Sequence, residues 1–123
     1  MRPYTQVLPG AHDLHFDGLA FEHFSWLGPS GPQGFVDLQS GFFYPGQLGP
    51  LHGVPGAVAF HGAHDVSVKN CTFAELGLTG VLTDGGTQNA TITANSFADL
   101  SGSAVSVGNV SMPMLGPADQ VSD

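Results

Sequence analysis

Residues 63–73 read "AHDVSVKNCTF" and residues 87–97 read "TQNATITANSF". Aligned on their final phenylalanines, Phe73 and Phe97, the two phrases stand 24 residues apart. The correspondence extends on both sides: Asp65 answers Asn89, Val66 Ala90, Val68 Ile92, Glu75 Asp99, Leu76 Leu100 and Val81 Val105. An earlier copy, "AHDLHFDGLAF" at residues 11–21, puts Asp13, Leu14, Phe16 and Phe21 in the same places. Self-similarity at such a period marks a chain whose units stack, each unit covering a face that its neighbour cannot bury alone.

Residue type selects the kind of stack. Apolar residues alternate over short stretches, as in Leu14/Phe16 and Val66/Val68, and Gly, Asn or Asp interrupts them at short intervals. That is strand and turn at period two; no window sustains a helical recurrence, and the frequent Gly and Pro would break one. The Leu-x-x-Leu-x-Leu pattern of leucine-rich repeats is absent. The expected fold is all-β: a right-handed parallel β-helix solenoid, with coils stacked roughly 4.8 Å apart. The length allows about four coils. Phe21, Phe73 and Phe97 then share one interior column, and Leu19, Cys71 and Asn95 another, with the Asn95 amide held by backbone groups of its turn.

The spacing from the first copy to the second is 52 residues, and the excess lies between Trp26 and about Pro55. That stretch is rich in Gly and Pro and carries Phe35, Phe42, Phe43 and Tyr44, so it reads as a long functional loop thrown out from a coil. The expected organisation is β-helix coils over 1–110, interrupted by this insert at 27–55, then a C-terminal tail at 111–123.

Composition limits the partners. The 123 residues suit one domain, and 41% hydrophobic content is enough for a core. The only strong cations are Arg2 and Lys69, and the formal net charge is −8. Nucleic acid and anionic membrane both select clustered Lys and Arg, so neither is expected as a partner. One cysteine, Cys71, excludes an internal disulfide and a four-Cys zinc site. The N-terminal "MRPYTQVLPG" has no apolar signal-peptide core, and no apolar run is long enough to span a bilayer. The chain as written reads as soluble.

The copies "AHDVSVKNCTFAELG" and "TQNATITANSFADLSGSAVSVGNV", with "SWLGPSGPQGFVDLQSG", resemble the β-helix repeat proteins of the pectate-lyase-like superfamily. Within it, they are most similar to large extracellular proteins related to β-helical glycoside hydrolases such as family 141. The resemblance covers roughly residues 4–110. It implies a carbohydrate-active protein, a polysaccharide or glycan partner and an extracellular location; no cofactor is expected. Members are several times longer, so the chain reads as a fragment. Uncapped coil ends expose strand edges, which favours self-association.

Three polar columns and the insert carry the candidate chemistry. Asp13, Asp65 and Asn89 open their repeats and suit Asx-type turns. The neighbouring His12 and His64 are two of the ligands a metal would need, with no third, so no metal is expected. His23, Glu75 and Asp99 follow the phenylalanine column; stacked carboxylates there are either solvated turn residues or a pair in which one acts as general acid. Asp84, in "VLTDGG", ends its strand opposite Phe60 and Gly108 on a 24-residue alignment. It either caps the turn or acts as a catalytic acid, with Asp99 or Glu75 as its partner. Asp37 could face it from the insert, and Trp26 and Tyr44 are either sugar platforms or part of a satellite core with Phe35, Phe42 and Phe43.

What is missing narrows the substrate. A polyuronate lyase needs basic side chains as base and charge clamp, and the adjacent aspartates and Gly-His-Gly of polygalacturonases are not present. The functional expectation is glycoside-hydrolase-type action on neutral or weakly charged glycans; the alternative is a non-catalytic glycan-binding or structural module. Three sequons, at Asn70, Asn89 and Asn109, are either glycan acceptors or the ordinary vocabulary of turns.

Overall fold

The computed structural model describes residues 5–32, 34–38, 41–46 and 50–108. The expected tail at 111–123 and the sequon at Asn109 lie outside the described residues. The structure is all-β with parallel sheets, and a short 3-10 turn lies at Gly28–Ser30.

The strands are β1 (Thr5–Val7), β2 (His12–Asp17), β3 (Ala20–Glu22), β4 (Val36–Leu38), β5 (Phe42–Tyr44), β6 (His52–Gly53) and β7 (Gly56–His61). They continue with β8 (His64–Lys69), β9 (Thr72–Leu76), β10 (Thr79–Asp84), β11 (Gln88–Thr93), β12 (Ser96–Leu100) and β13 (Val105–Val107). Sheet A has the order β1-β7-β10-β13, sheet B β11-β8-β2 and sheet C β12-β9-β3, all paired in parallel. The chain visits A, B and C in turn three times and returns to A, so each pass lies against the next. The insert, read from sequence as a loop, instead forms a small antiparallel sheet, β4-β5-β6.

The 24-residue repeat is a register in sheets B and C: Val66 pairs with Ala90, Val68 with Ile92 and Phe73 with Phe97. Sheet A keeps it between β10 and β13, where Val81 pairs with Val105, and departs from it between β7 and β10. Val81 pairs with Val58 and Asp84 with His61, a spacing of 23. The difference is one turn residue, since Gly62-Ala63 joins β7 to β8 while Gly85-Gly86-Thr87 joins β10 to β11. The expected pairing of Asp84 with Phe60 is thereby corrected to His61.

The core sits between the three sheets and is best covered from β7 to β10, where Val58, Phe60, Val68, Phe73, Leu76 and Val81 are at most 1% exposed. The Phe21, Phe73 and Phe97 rings stack at 4.9 and 5.0 Å, both pairs 12° from parallel. The second expected column is only partly interior. Leu19 is 46% exposed because it belongs to the first pass, which has a neighbour on one side among the described residues. Asn95 is half-buried and bonds the pass before it, not its own turn: Cys71 N–H donates to Oδ1 at 2.8 Å and Nδ2 donates to the Val68 carbonyl at 2.9 Å.

The corners of each pass have a backbone signature. Asp13, Asp65 and Asn89 have φ of 54°, 55° and 52°, and His23, Glu75 and Asp99 have 59°, 53° and 53°. A third set places Asn70 and Ala94 at 52° and 55° in line with Gly18 at 68°. At such points the ladder skips a residue, as between Gln88/His64 and Ala90/Val66. Left-handed backbone is tolerated by Gly, Asn and Asp and strained for most others, which explains the polar columns.

Two stability outcomes follow from these positions. Phe73→Ala removes a ring covered on both faces and should cost about 3–5 kcal/mol in urea unfolding, more than Phe97→Ala at a half-buried position. Ala94→Gly should raise stability by roughly 0.5–1 kcal/mol in the same assay, because relief of left-handed strain exceeds the added chain entropy.

Candidate functional site

Alternation along sheet A turns one set of residues inward and the other outward. Thr5, Val58, Val81 and Val105 form an inward row; Gln6, Ala59, Leu82 and Ser106 form the adjacent outward row, followed by His61 and Asp84. These outward residues floor a cavity of about 230 Å³. Phe42, His52, Gly53, Val54 and Pro55 of the insert wall it, so the insert converts an open sheet face into a recess.

Asp84 and His61 are the ionisable centre of this recess. The Asp84 side chain is 9% exposed and that of His61 27%. The His61 Nδ1–H donates to Asp84 Oδ1 in a short hydrogen bond. That bond and the aspartate's charge hold the His61 pKa above its ordinary value, against the opposing pull of burial. With Nδ1 engaged, Nε2 is the ring nitrogen left to exchange a proton.

The backbone around the pair is fixed by Thr87, which is fully buried. Its N–H and its Oγ1 both donate to the Asp84 carbonyl, at 3.1 and 2.8 Å, and Oγ1 also bonds the Phe60 carbonyl at 3.0 Å. Gly62 donates to the same Asp84 carbonyl at 3.0 Å. Its φ of 63° and the 2.9 Å from a notional Cβ to the Gly85 carbonyl oxygen leave room only for glycine. The Asp84 carbonyl therefore anchors the turn while the carboxylate faces His61.

The other sequence candidates lie elsewhere. Glu75 and Asp99 occupy exposed corners of sheet C and do not line this cavity; Glu75 pairs with His23 Nδ1 at 2.8 Å. Trp26 and Asp37 line a second cavity, with Phe35. The Trp26 ring also packs on Phe43 at 5.0 Å and Phe35 at 5.8 Å, and Tyr44 is half-buried opposite Val36 in the insert sheet. His12 and His64 stack at 5.2 Å, each with Nδ1 on the aspartate that follows it. Asp65 is held below the ordinary carboxylate range by hydrogen bonds from His64 and Asn89. Among the described residues no group of three or more His, Cys, Asp or Glu could hold a metal.

Sequence reasoning missed His61, His52 and Gln6. The extra residue of "DGGT" relative to "HGA" was the available signal: allowing for it slides His61 into line with Asp84. His52 and Gln6 reach the recess through the folding of the insert and the outward row of β1, neither of which the repeat encodes.

Comparison of the chain with family models, with curated proteins and with solved structures gave no match.

The His61–Asp84 pair makes stability depend on pH with a definite sign. A raised folded-state pKa means that the pair's contribution is fully present below about 6.5 and is lost as pH rises through the raised value. Thermal unfolding from pH 5 to 9 should show this loss, and His61→Gln should remove that part of the profile.

Proposed function

We propose that the chain forms part of a right-handed parallel β-helix and takes a neutral or weakly charged glycan into the sheet A recess, with glycoside-hydrolase-type chemistry at Asp84 and His61. The observation that carries this reading is the half-buried histidine paired to a buried aspartate at the floor of the recess. The winding is supported by three parallel sheets entered in the same order on each pass. A neutral ligand is supported by the walls, which carry neither Lys nor Arg among the described residues. The volume of about 230 Å³ is suited to a short piece of a sugar chain.

Asp84 holds the imidazole through Nδ1, so that Nε2 takes a proton from water or passes one to a leaving oxygen. General acid–base help of this kind contributes about 10²–10⁴-fold to a rate. Most glycosidases divide the work between two carboxyls. Asp84 is the one carboxylate lining the recess among the described residues, and it is engaged with His61. That same count favours a second reading, a glycan-binding module without hydrolysis.

Product release from a panel of neutral and uronic polysaccharides separates the two readings. The hydrolase should release sugar from neutral glycans, with Asp84→Asn and His61→Gln each lowering the rate by roughly 10²-fold or more. Retained glycan binding without release selects the binding module. A folded chain that neither binds nor cleaves any glycan in the panel overturns both readings.

A further inference from the structure

We propose that the ligand is an oligosaccharide that fills two cavities, the recess above Asp84 and a second hollow on the other flank of the insert. This rests on the glycan reading above and specifies its substrate as a chain of several sugars. The second cavity has a volume of about 440 Å³. Its lining includes the aromatic side chains of Trp26 and Phe35, the exposed Asp37 carboxylate and the hydroxyls of Ser101 and Ser103.

The two hollows share a dividing ridge. Val54 lines both, and its N–H donates to the Gly41 carbonyl at 2.8 Å, holding the chain around β5 and β6 together. Neighbouring residues of the insert divide between the flanks. Phe42 and Gly53 line the first cavity, whereas Gly41 and Asp37 line the second. A ligand that passes over Val54 reaches both hollows.

The chemistry of the second hollow matches the first in kind. An aromatic wall takes the CH groups of a sugar ring, and carboxylate and hydroxyl oxygens accept its hydroxyl hydrogens. As in the first hollow, no Lys or Arg lines it among the described residues. A chain bound at one site presents its next units to the other at high effective concentration, so occupancy of both raises affinity steeply with length.

Calorimetric titration with β-1,4-linked gluco-, xylo- and manno-oligosaccharides, from a monosaccharide to about a hexasaccharide, tests the proposal. Affinity should rise at least about tenfold at the length that first reaches both hollows. Asp37→Ala, at an exposed position, and Ser103→Ala, at a half-buried one, should each remove part of that gain, and Trp26→Ala most of it if circular dichroism shows the fold retained. Asp84→Asn should weaken binding at every length. Affinity that does not change with length, or long-chain affinity indifferent to all three second-hollow variants, overturns the two-cavity proposal. Failure of every length to bind, together with no binding or cleavage across the polysaccharide panel above, overturns the glycan reading itself.

Discussion

Everything in this structure depends on covering the face of one strand layer with the next. A single pass of three short strands has too little interior to bury its own apolar side chains, and its backbone groups on both edges require partners. Parallel pairing at a constant register meets both needs at once. It brings like residues together, so that Phe73 lies between Phe21 and Phe97, and Val66 and Val68 between their counterparts. The corners complete the arrangement, because the chain can leave one sheet for the next only where the backbone bends sharply.

Those corners explain why this sequence is rich in patterns that resemble catalytic clusters. Asp13/Asp65/Asn89 and His23/Glu75/Asp99 are polar columns because left-handed backbone selects such residues and because the corners face solvent. The same stacking that aligns them also lets them satisfy one another, as Asn89 donates to Asp65 and His23 pairs with Glu75. Asp84 differs in position and burial. It ends a strand on the outward row of sheet A and is nearly covered, so its pairing with a histidine of the preceding pass, a pairing Glu75 also makes, is shielded from solvent.

Much of the layer architecture was legible in the residues themselves. The phenylalanine column and the pairing in sheets B and C follow from identical spacing in the copies. The insert was not legible as a sheet, because its strands are two or three residues long and pair across Gly- and Pro-rich segments with no periodicity. Its aromatic content did indicate packing, which Trp26, Phe35 and Phe43 supply. The His61–Asp84 pair was obscured for a different reason. Strand register obeys the packing of Val58 on Val81, whereas sequence spacing also counts the turns, and one turn is a residue longer.

The graded burial of the passes has a consequence for motion. In a roughly spherical domain the slowest amides to exchange with solvent cluster around a central point. Here protection is ordered along the stacking direction instead. The amides of β7 to β10 lie in the layers with the most completely covered side chains, while Val107, 66% exposed, and Leu8, 63% exposed, mark its outer layers. Opening should then proceed from the less covered layers toward β7 to β10. His61 and Asp84 sit on β7 and β10, so the ionisable floor of the recess lies in the best-covered layers, while Gln6 and Ser106 at its margins lie in the outer ones.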